Sequence, residues 1–199
     1  MIHDARKIPD RKELTCDVCI VGAGAAGITL ALELAQTGKK IILLEAGRMN
    51  RSGKSQNLYQ GHLADPNRHL PLDSDRYRQL GGTTAIWGGR CIPFDPIDFE
   101  ARTYVPYSGW PIAHQHLDHY YRRAHEYCEC GQFEYSSDVA LPQAPHQMIA
   151  GFVDGNLVTN KIERWSPPTH FVKVYCNKLK HARNVHVYLN AICTNLDVT

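Results

Sequence analysis

No apolar run in this sequence approaches the roughly 20 residues needed to span a bilayer. Nor does the opening stretch, Met1 to Glu13, have the apolar centre of a signal peptide. A membrane span is therefore not expected. The cytoplasm is the expected location, with export alongside a signal-bearing partner left open. An excess of one charge is also missing. The 22 Lys and Arg against 20 Asp and Glu leave a formal net charge of +2, which makes no electrostatic case for nucleic acid or an anionic membrane as partner. Metal-ligand spacing is missing as well. Of seven cysteines, Cys16 and Cys19 stand as CxxC, but Cys128 and Cys130 are separated by one residue and make no matching pair. Cys16 and Cys19 flank an apolar run, where a thiol behaves as a small apolar group. The odd, scattered set fits reduced thiols rather than a disulfide framework. No metal site is expected.

What the sequence does hold is glycine in two clusters. The first, Gly22-Ala23-Gly24-Ala25-Ala26-Gly27, follows the apolar run Val18 to Val21. That run is dense enough for a strand buried on both faces. After the cluster, Ile28, Ala31, Leu32 and Ala35 recur at helical spacing, and Gly38 stands where a left-handed cap is expected. A second run, Ile41 to Leu44, closes on Glu45. The pattern is one βαβ unit with a right-handed crossover. The three glycines then divide the work. Gly22 allows the sharp turn, Gly24 the close approach of backbone to a diphosphate, and Gly27 the contact between helix and strand. The helix N-terminus offers free N–H groups to phosphate. Glu45 is placed to accept from ribose hydroxyls and would repel a 2′-phosphate, which disfavours NADP.

From Arg48 to Arg78 the chain is polar and aperiodic, a length of loop that is usually functional or covers a ligand. It leads to the second cluster, Gly81-Gly82-Thr83-Thr84-Ala85-Ile86-Trp87-Gly88-Gly89. Bare backbone and hydroxyls there can lie against a flat ligand or its phosphates, with Trp87 as a wall. Tyr107 to Pro111 is turn chemistry. Beyond it Leu117, Tyr120, Tyr121, Ala124 and Cys128 define a buried helical stripe, so the histidines between His114 and His125 are expected on a hydrated surface. Val185, Val187 and Leu189 alternate with His186, Tyr188 and Asn190, and Ala191 to Val198 reads as a further strand.

Taken in order, these motifs resemble the glucose–methanol–choline (GMC) oxidoreductases, flavoproteins that oxidise alcohols and sugars. The resemblance rests on Cys16-Asp17-Val18 through Gly27, Leu44-Glu45-Ala46-Gly47, Gly81-Gly82-Thr83-Thr84 and Trp87-Gly88-Gly89-Arg90. It continues through Asp95-Pro96-Ile97-Asp98-Phe99, Ser108-Gly109-Trp110-Pro111-Ile112, Tyr120-Tyr121, Trp165 to Phe171 and Asn184 to Val187. The tryptophan before the glycine pair is most similar to the bacterial sugar dehydrogenase and pyranose oxidase-like branch. It implies an α/β fold: a Rossmann-like FAD-binding domain with a parallel sheet, incomplete here, with irregular segments covering the flavin. The implied cofactor-binding residues are Gly22, Ala23, Gly24, Ala25, Ala26, Gly27, Glu45, Ala46, Gly81, Gly82, Thr83, Trp87, Gly88 and Cys193. Gly82 and Thr83 would meet the diphosphate–ribityl portion, Trp87 and Gly88 the ring, and backbone near Cys193 the adenine. Some members tether FAD through a histidine before the tryptophan. That position is Ile86 here, so FAD should be non-covalent.

The resemblance also implies hydride transfer from a sugar or alcohol CH–OH group to flavin N5, with a histidine near the family's C-terminus as base. No residue in this sequence matches that late motif, so no catalytic residue is assigned. Residues 1–199 are expected to be the N-terminal FAD-binding portion, inactive alone, lacking the substrate domain. The implied partners are the small-molecule substrate and an electron-acceptor protein. Two other readings stay open: a non-catalytic ADP- or FAD-binding module, and an NAD-dependent dehydrogenase.

Overall fold

The structure, a computed structural model, describes residues 1–143, 149, 151 and 161–198. In chain order its strands are β1 (Ile2–Asp4), β2 (Val18–Val21), β3 (Ile41–Glu45), β4 (Arg90–Cys91), β5 (Arg164–Trp165) and β6 (Val185–Leu189). Its helices are α1 (Ala25–Ala35), α2 (Gly53–Gln56), α3 (Pro96–Phe99), α4 (Asp118–Cys128), α5 (Ser137–Ala140) and α6 (Phe171–His181). They fall into two compact units, Met1–Trp87 with His170–Thr199, and Gly88–Thr169.

In the first unit four strands make one parallel sheet in the order β1-β6-β3-β2. A parallel neighbour needs a crossover, and α1 supplies it between β2 and β3. The register pairs Val18 with Ile41 through Val21 with Leu44, and Ile41 with Val185 through Glu45 with Leu189. All four strands therefore end at the same edge of the sheet. Helix α1 turns Ile28, Ala31 and Leu32 inward, as its spacing predicts, and α6 contributes Phe171, Tyr175 and Leu179. These meet Ile41, Leu43, Val185 and Val187 of the sheet. Burying each large side chain contributes about 1.5–3 kcal/mol. Gly38 takes φ +73° in the turn after α1, where a left-handed residue was expected.

Two expectations fail in this unit. β3 is buried nearly throughout, but β2 buries only Ile20, while Cys19 is exposed and Val21 is 56% exposed. The reason is position. β2 is the edge strand of the sheet, so its alternate residues face open space, and Cys19 does not sit in an apolar interior. The segment 191–198 forms no strand. Asn190 takes φ +57° and turns the chain away from the extended path of β6, a conformation asparagine tolerates better than most residues.

The second unit pairs β4 with β5 antiparallel and carries α3, α4 and α5. Asp95 starts α3, its N–H donating to Asp98 Oδ2 at 2.9 Å. Gly109 takes φ +90° in the expected turn. In α4 the buried face differs from the expected stripe. Tyr120 is 65% exposed and His125 is buried. Its ring lies 2.8 Å from the Tyr135 hydroxyl through Nε2 and 3.2 Å from the Gly131 carbonyl through Nδ1. Burial lowers the His125 pKa. A histidine with both ring nitrogens partnered can replace an apolar residue on a packed face, and spacing alone does not reveal those partners.

Candidate dinucleotide site

At the carboxyl edge of the sheet, Gly22 leaves β2 with φ +98°, a conformation glycine adopts without strain, and its N–H donates to the Leu44 carbonyl at 2.8 Å. Gly24 is the N-cap of α1, and no side chain closes the helix's first turn. First-turn N–H groups and the positive end of the helix dipole are what anions bind. A Cβ on Gly24 would meet nothing within 4 Å, so the space in front of the helix start is open. Gly27 is the reverse case. A Cβ there would overlap the Gly22 carbonyl oxygen and reach Leu43 Cδ1 at 3.4 Å. Packing within the protein requires glycine at 27. Nothing in the protein requires it at 24, whereas close approach by a diphosphate would. Ala23 and Gly27 are buried, Ala25 is half-buried and Ala26 exposed.

The second glycine cluster docks directly on the first. Leu80 N–H donates to the Arg48 carbonyl at 2.8 Å, and Gly81 N–H donates to the Ala23 carbonyl at 2.7 Å. Gly81 and Gly82 take φ +83° and +55°. Gly82 lies so close that a Cβ would stand 3.2 Å from Gly24 Cα. Thr84, buried, donates to the Gly81 carbonyl at 2.6 Å and accepts from Phe171 N–H at 3.4 Å, which ties this turn to the start of α6. Thr83 is exposed beside it. Its hydroxyl accepts from Tyr77 N–H at 3.4 Å, and its carbonyl accepts from Ile86 and Trp87 N–H, both at 3.0 Å.

Glu45, at the end of β3, is 6% exposed. Its Oε2 accepts from Ala23 N–H at 3.0 Å and its Oε1 from Gly47 N–H at 2.6 Å. Burial pushes its pKa up, and the two backbone donors and the charge of Arg78 oppose that rise. The carboxylate therefore braces the glycine turn against the end of β3, and each oxygen keeps a lone pair for another donor. Ala46 beside it is half-buried.

Three residues of this frame carry weight that sequence reasoning did not assign. Gly47 has no room for a side chain, because a Cβ would collide with the backbone of Arg78 and Gln79. Gln56, 3% exposed, donates to the carbonyls of Asp73 (2.7 Å) and Arg76 and accepts from Arg78 N–H at 3.1 Å. Thr84 is the third. A glutamine early in a long polar loop has no local signal that could have marked it.

The remaining candidates are more scattered. Trp87 is half-buried at the end of this unit, and Gly88 begins the other. Cys193 is half-buried in the irregular segment, its thiol 3.6 Å from the Asn195 carbonyl. The frame thus brings together Gly22 to Gly27, Glu45, Gly81 and Gly82. No group of three or more metal-ligating side chains occurs among the described residues, and no helix among them is long and apolar enough to cross a membrane.

A parallel sheet with a βαβ start and a glycine turn at its carboxyl edge is a Rossmann-like dinucleotide-binding architecture. The family model for FAD dependent oxidoreductases (DAO) matches residues 17–199, and the chain belongs to that family. Its cofactor is accordingly FAD. Among relatives, the fructose dehydrogenase large subunit of Gluconobacter japonicus is 30% identical over 167 residues, 67% of this chain and 30% of that protein. The 2-methyl-1,2-propanediol dehydrogenase of Mycolicibacterium austroafricanum is 30% identical over 125 residues, 53% of this chain and 23% of that protein. The chain thus spans less than a third of the length of either relative. A solved structure, pyridoxine 4-oxidase from Mesorbium loti, aligns with 43% of this chain and 20% of its own at 24% identity, with a TM-score of 0.30, too slight a likeness to argue from.

Proposed function

We propose that this chain is the N-terminal FAD-binding portion of a GMC-type oxidoreductase that oxidises a CH–OH group of a sugar or alcohol. The observation that carries the reading is the docking of the two glycine clusters, Gly81 N–H on the Ala23 carbonyl and Gly82 against Gly24. A single glycine turn would serve any dinucleotide. A second one pressed against it, with Thr83 exposed alongside, extends the bare surface along a longer ligand. The two relatives named for a sugar and a diol support a hydroxylated substrate.

In this reading the open face of Gly24 and the first turn of α1 hold the diphosphate. The Glu45 carboxyl group, fixed by two N–H donors, accepts from ribose hydroxyls with its remaining lone pairs. Gly82, Thr83, Trp87 and Gly88 line the path toward the ring, and backbone near Cys193 meets the adenine. When bound, FAD supplies the two-electron acceptor for the oxidation. Ile86, 43% exposed, offers no nucleophile at the position where a tethering histidine would stand, so the flavin is held without a covalent bond.

The test has two readings. The protein purified with FAD is expected to be yellow, and acid precipitation is expected to leave the flavin in the supernatant. A coloured pellet would overturn the non-covalent assignment. Anaerobic addition of fructose or a small diol to the whole flavoprotein is expected to bleach the visible band. Bleaching by amines alone would overturn the CH–OH assignment while leaving FAD binding intact.

A further inference from the structure

The opposite border of the same sheet carries a second groove, of about 760 Å³, within the span of about 300–1,000 Å³ typical of small-molecule sites. It is built by the carboxyl ends of β1 and β6, the chain that leaves β1, and the turn after β3. None of the residues assigned to the FAD cradle lines it. Its floor is apolar, with Ile2, Ile8, Met49 and Leu189, and beside them Tyr188 stacks on His3 with ring centroids 4.9 Å apart.

The rim is cationic. Arg6, Lys7, Lys12 and Arg48 line the groove against a single acid, Asp4. That acid is fully engaged. It accepts from Arg6 Nε at 3.0 Å and Nη2 at 2.6 Å, and from Asn190 Nδ2 at 3.0 Å. One anion therefore cancels one cation. Lys7, Lys12 and Arg48 have no ion-pair partner among the described residues. In a chain whose formal net charge is only +2, three unpaired cations around one concavity are a local concentration of charge, and such clefts raise the local concentration of anions.

Rim and floor together narrow the ligand. Inorganic phosphate would use the cations and leave the apolar floor wet. A neutral apolar molecule would leave the cations unanswered. The volume suits a metabolite rather than a protein surface. We infer that this groove binds a small organic anion, a phosphate or carboxylate group carried on an apolar or aromatic body.

Phenyl phosphate is the probe. Calorimetric titration of the full chain, with and without saturating FAD, is expected to give saturable binding at least about tenfold tighter than inorganic phosphate alone. The double substitution Lys7→Glu/Lys12→Glu changes two exposed side chains and should weaken phenyl phosphate by at least about tenfold with FAD affinity unchanged. Circular dichroism of that variant establishes that it is folded, and Lys7→Gln/Lys12→Gln should give a smaller loss in the same direction. Equal affinity for phenyl phosphate and inorganic phosphate would show that the floor contributes nothing and would overturn the inference. So would no saturable heat up to about 10 mM. Displacement by FAD would assign the groove to the cofactor and overturn a separate site.

Discussion

At the scale of single residues, the first glycine turn separates folding from binding in adjacent positions. Gly24 faces open space, so Gly24→Asp is expected to fold normally and yet lose FAD, because its carboxylate would occupy the diphosphate path and oppose its charge. Thermal unfolding and titration with FAD or ADP, measured on the same sample, check both halves. Gly27→Ala is expected to do the opposite. Its Cβ overlaps the Gly22 carbonyl, so stability should fall by about 3 kcal/mol or more, with the loss of cofactor following from the loss of fold. Glu45 makes a pH prediction. Its folded pKa is raised, chiefly by burial, so its ionisation favours the unfolded chain. Its contribution to stability is present in full below the ordinary glutamate pKa and is lost as pH rises through the raised folded value. From about pH 4 upward the melting temperature of the wild type should carry a falling contribution that Glu45→Gln lacks. A Glu45→Gln protein with an unchanged pH profile would remove this residue as the source. Glu45→Ala also strands two N–H donors, costing about 1–3 kcal/mol.

At the scale of elements, what packs is not always what the local pattern suggests. The helical spacing after the first glycine cluster places α1 correctly, since Ile28, Ala31 and Leu32 need only an apolar neighbour. The same rule misplaces the buried face of α4, because Tyr135 and Gly131 satisfy His125 from another segment. In the long polar stretch before Arg78 the buried side chain of Gln56 bonds to three backbone groups on the far part of the loop. Gln56→Ala is therefore expected to release that loop. Limited proteolysis should cut the variant between residues 61 and 78 at least several-fold faster than the wild type, with only a small change in global stability. Equal cutting rates would show that the loop is held elsewhere. Phe171→Ala, at the start of α6, should by contrast cost about 3–5 kcal/mol, since that ring is 1% exposed.

At the scale of the molecule, the first unit is discontinuous in sequence, Met1–Trp87 completed by His170–Thr199. Its central pairing, β3 with β6, and the packing of α1 on α6 both join the two pieces. The pieces already meet where Phe171 N–H bonds to the Thr84 hydroxyl at 3.4 Å. Replacing residues 88–169 with a short Gly/Ser linker is thus expected to leave a folded unit that binds ADP, as calorimetry would show. An unfolded product would mean that the second unit is needed for the fold of the first. By itself the sequence determined the βαβ start, the inward sets of α1, β3 and β6, and the steric need for glycine at the Gly22 turn and the Gly27 contact, because those depend on periodicity and backbone sterics within a few residues. Only the tertiary structure decided that β2 lies at the edge of the sheet, that residues 191–198 leave it, that Glu45 braces the turn, and that the second glycine cluster lies against the first. Each of those depends on which distant backbone groups find one another, and a donor at Gly81 has no local sign that its acceptor is Ala23.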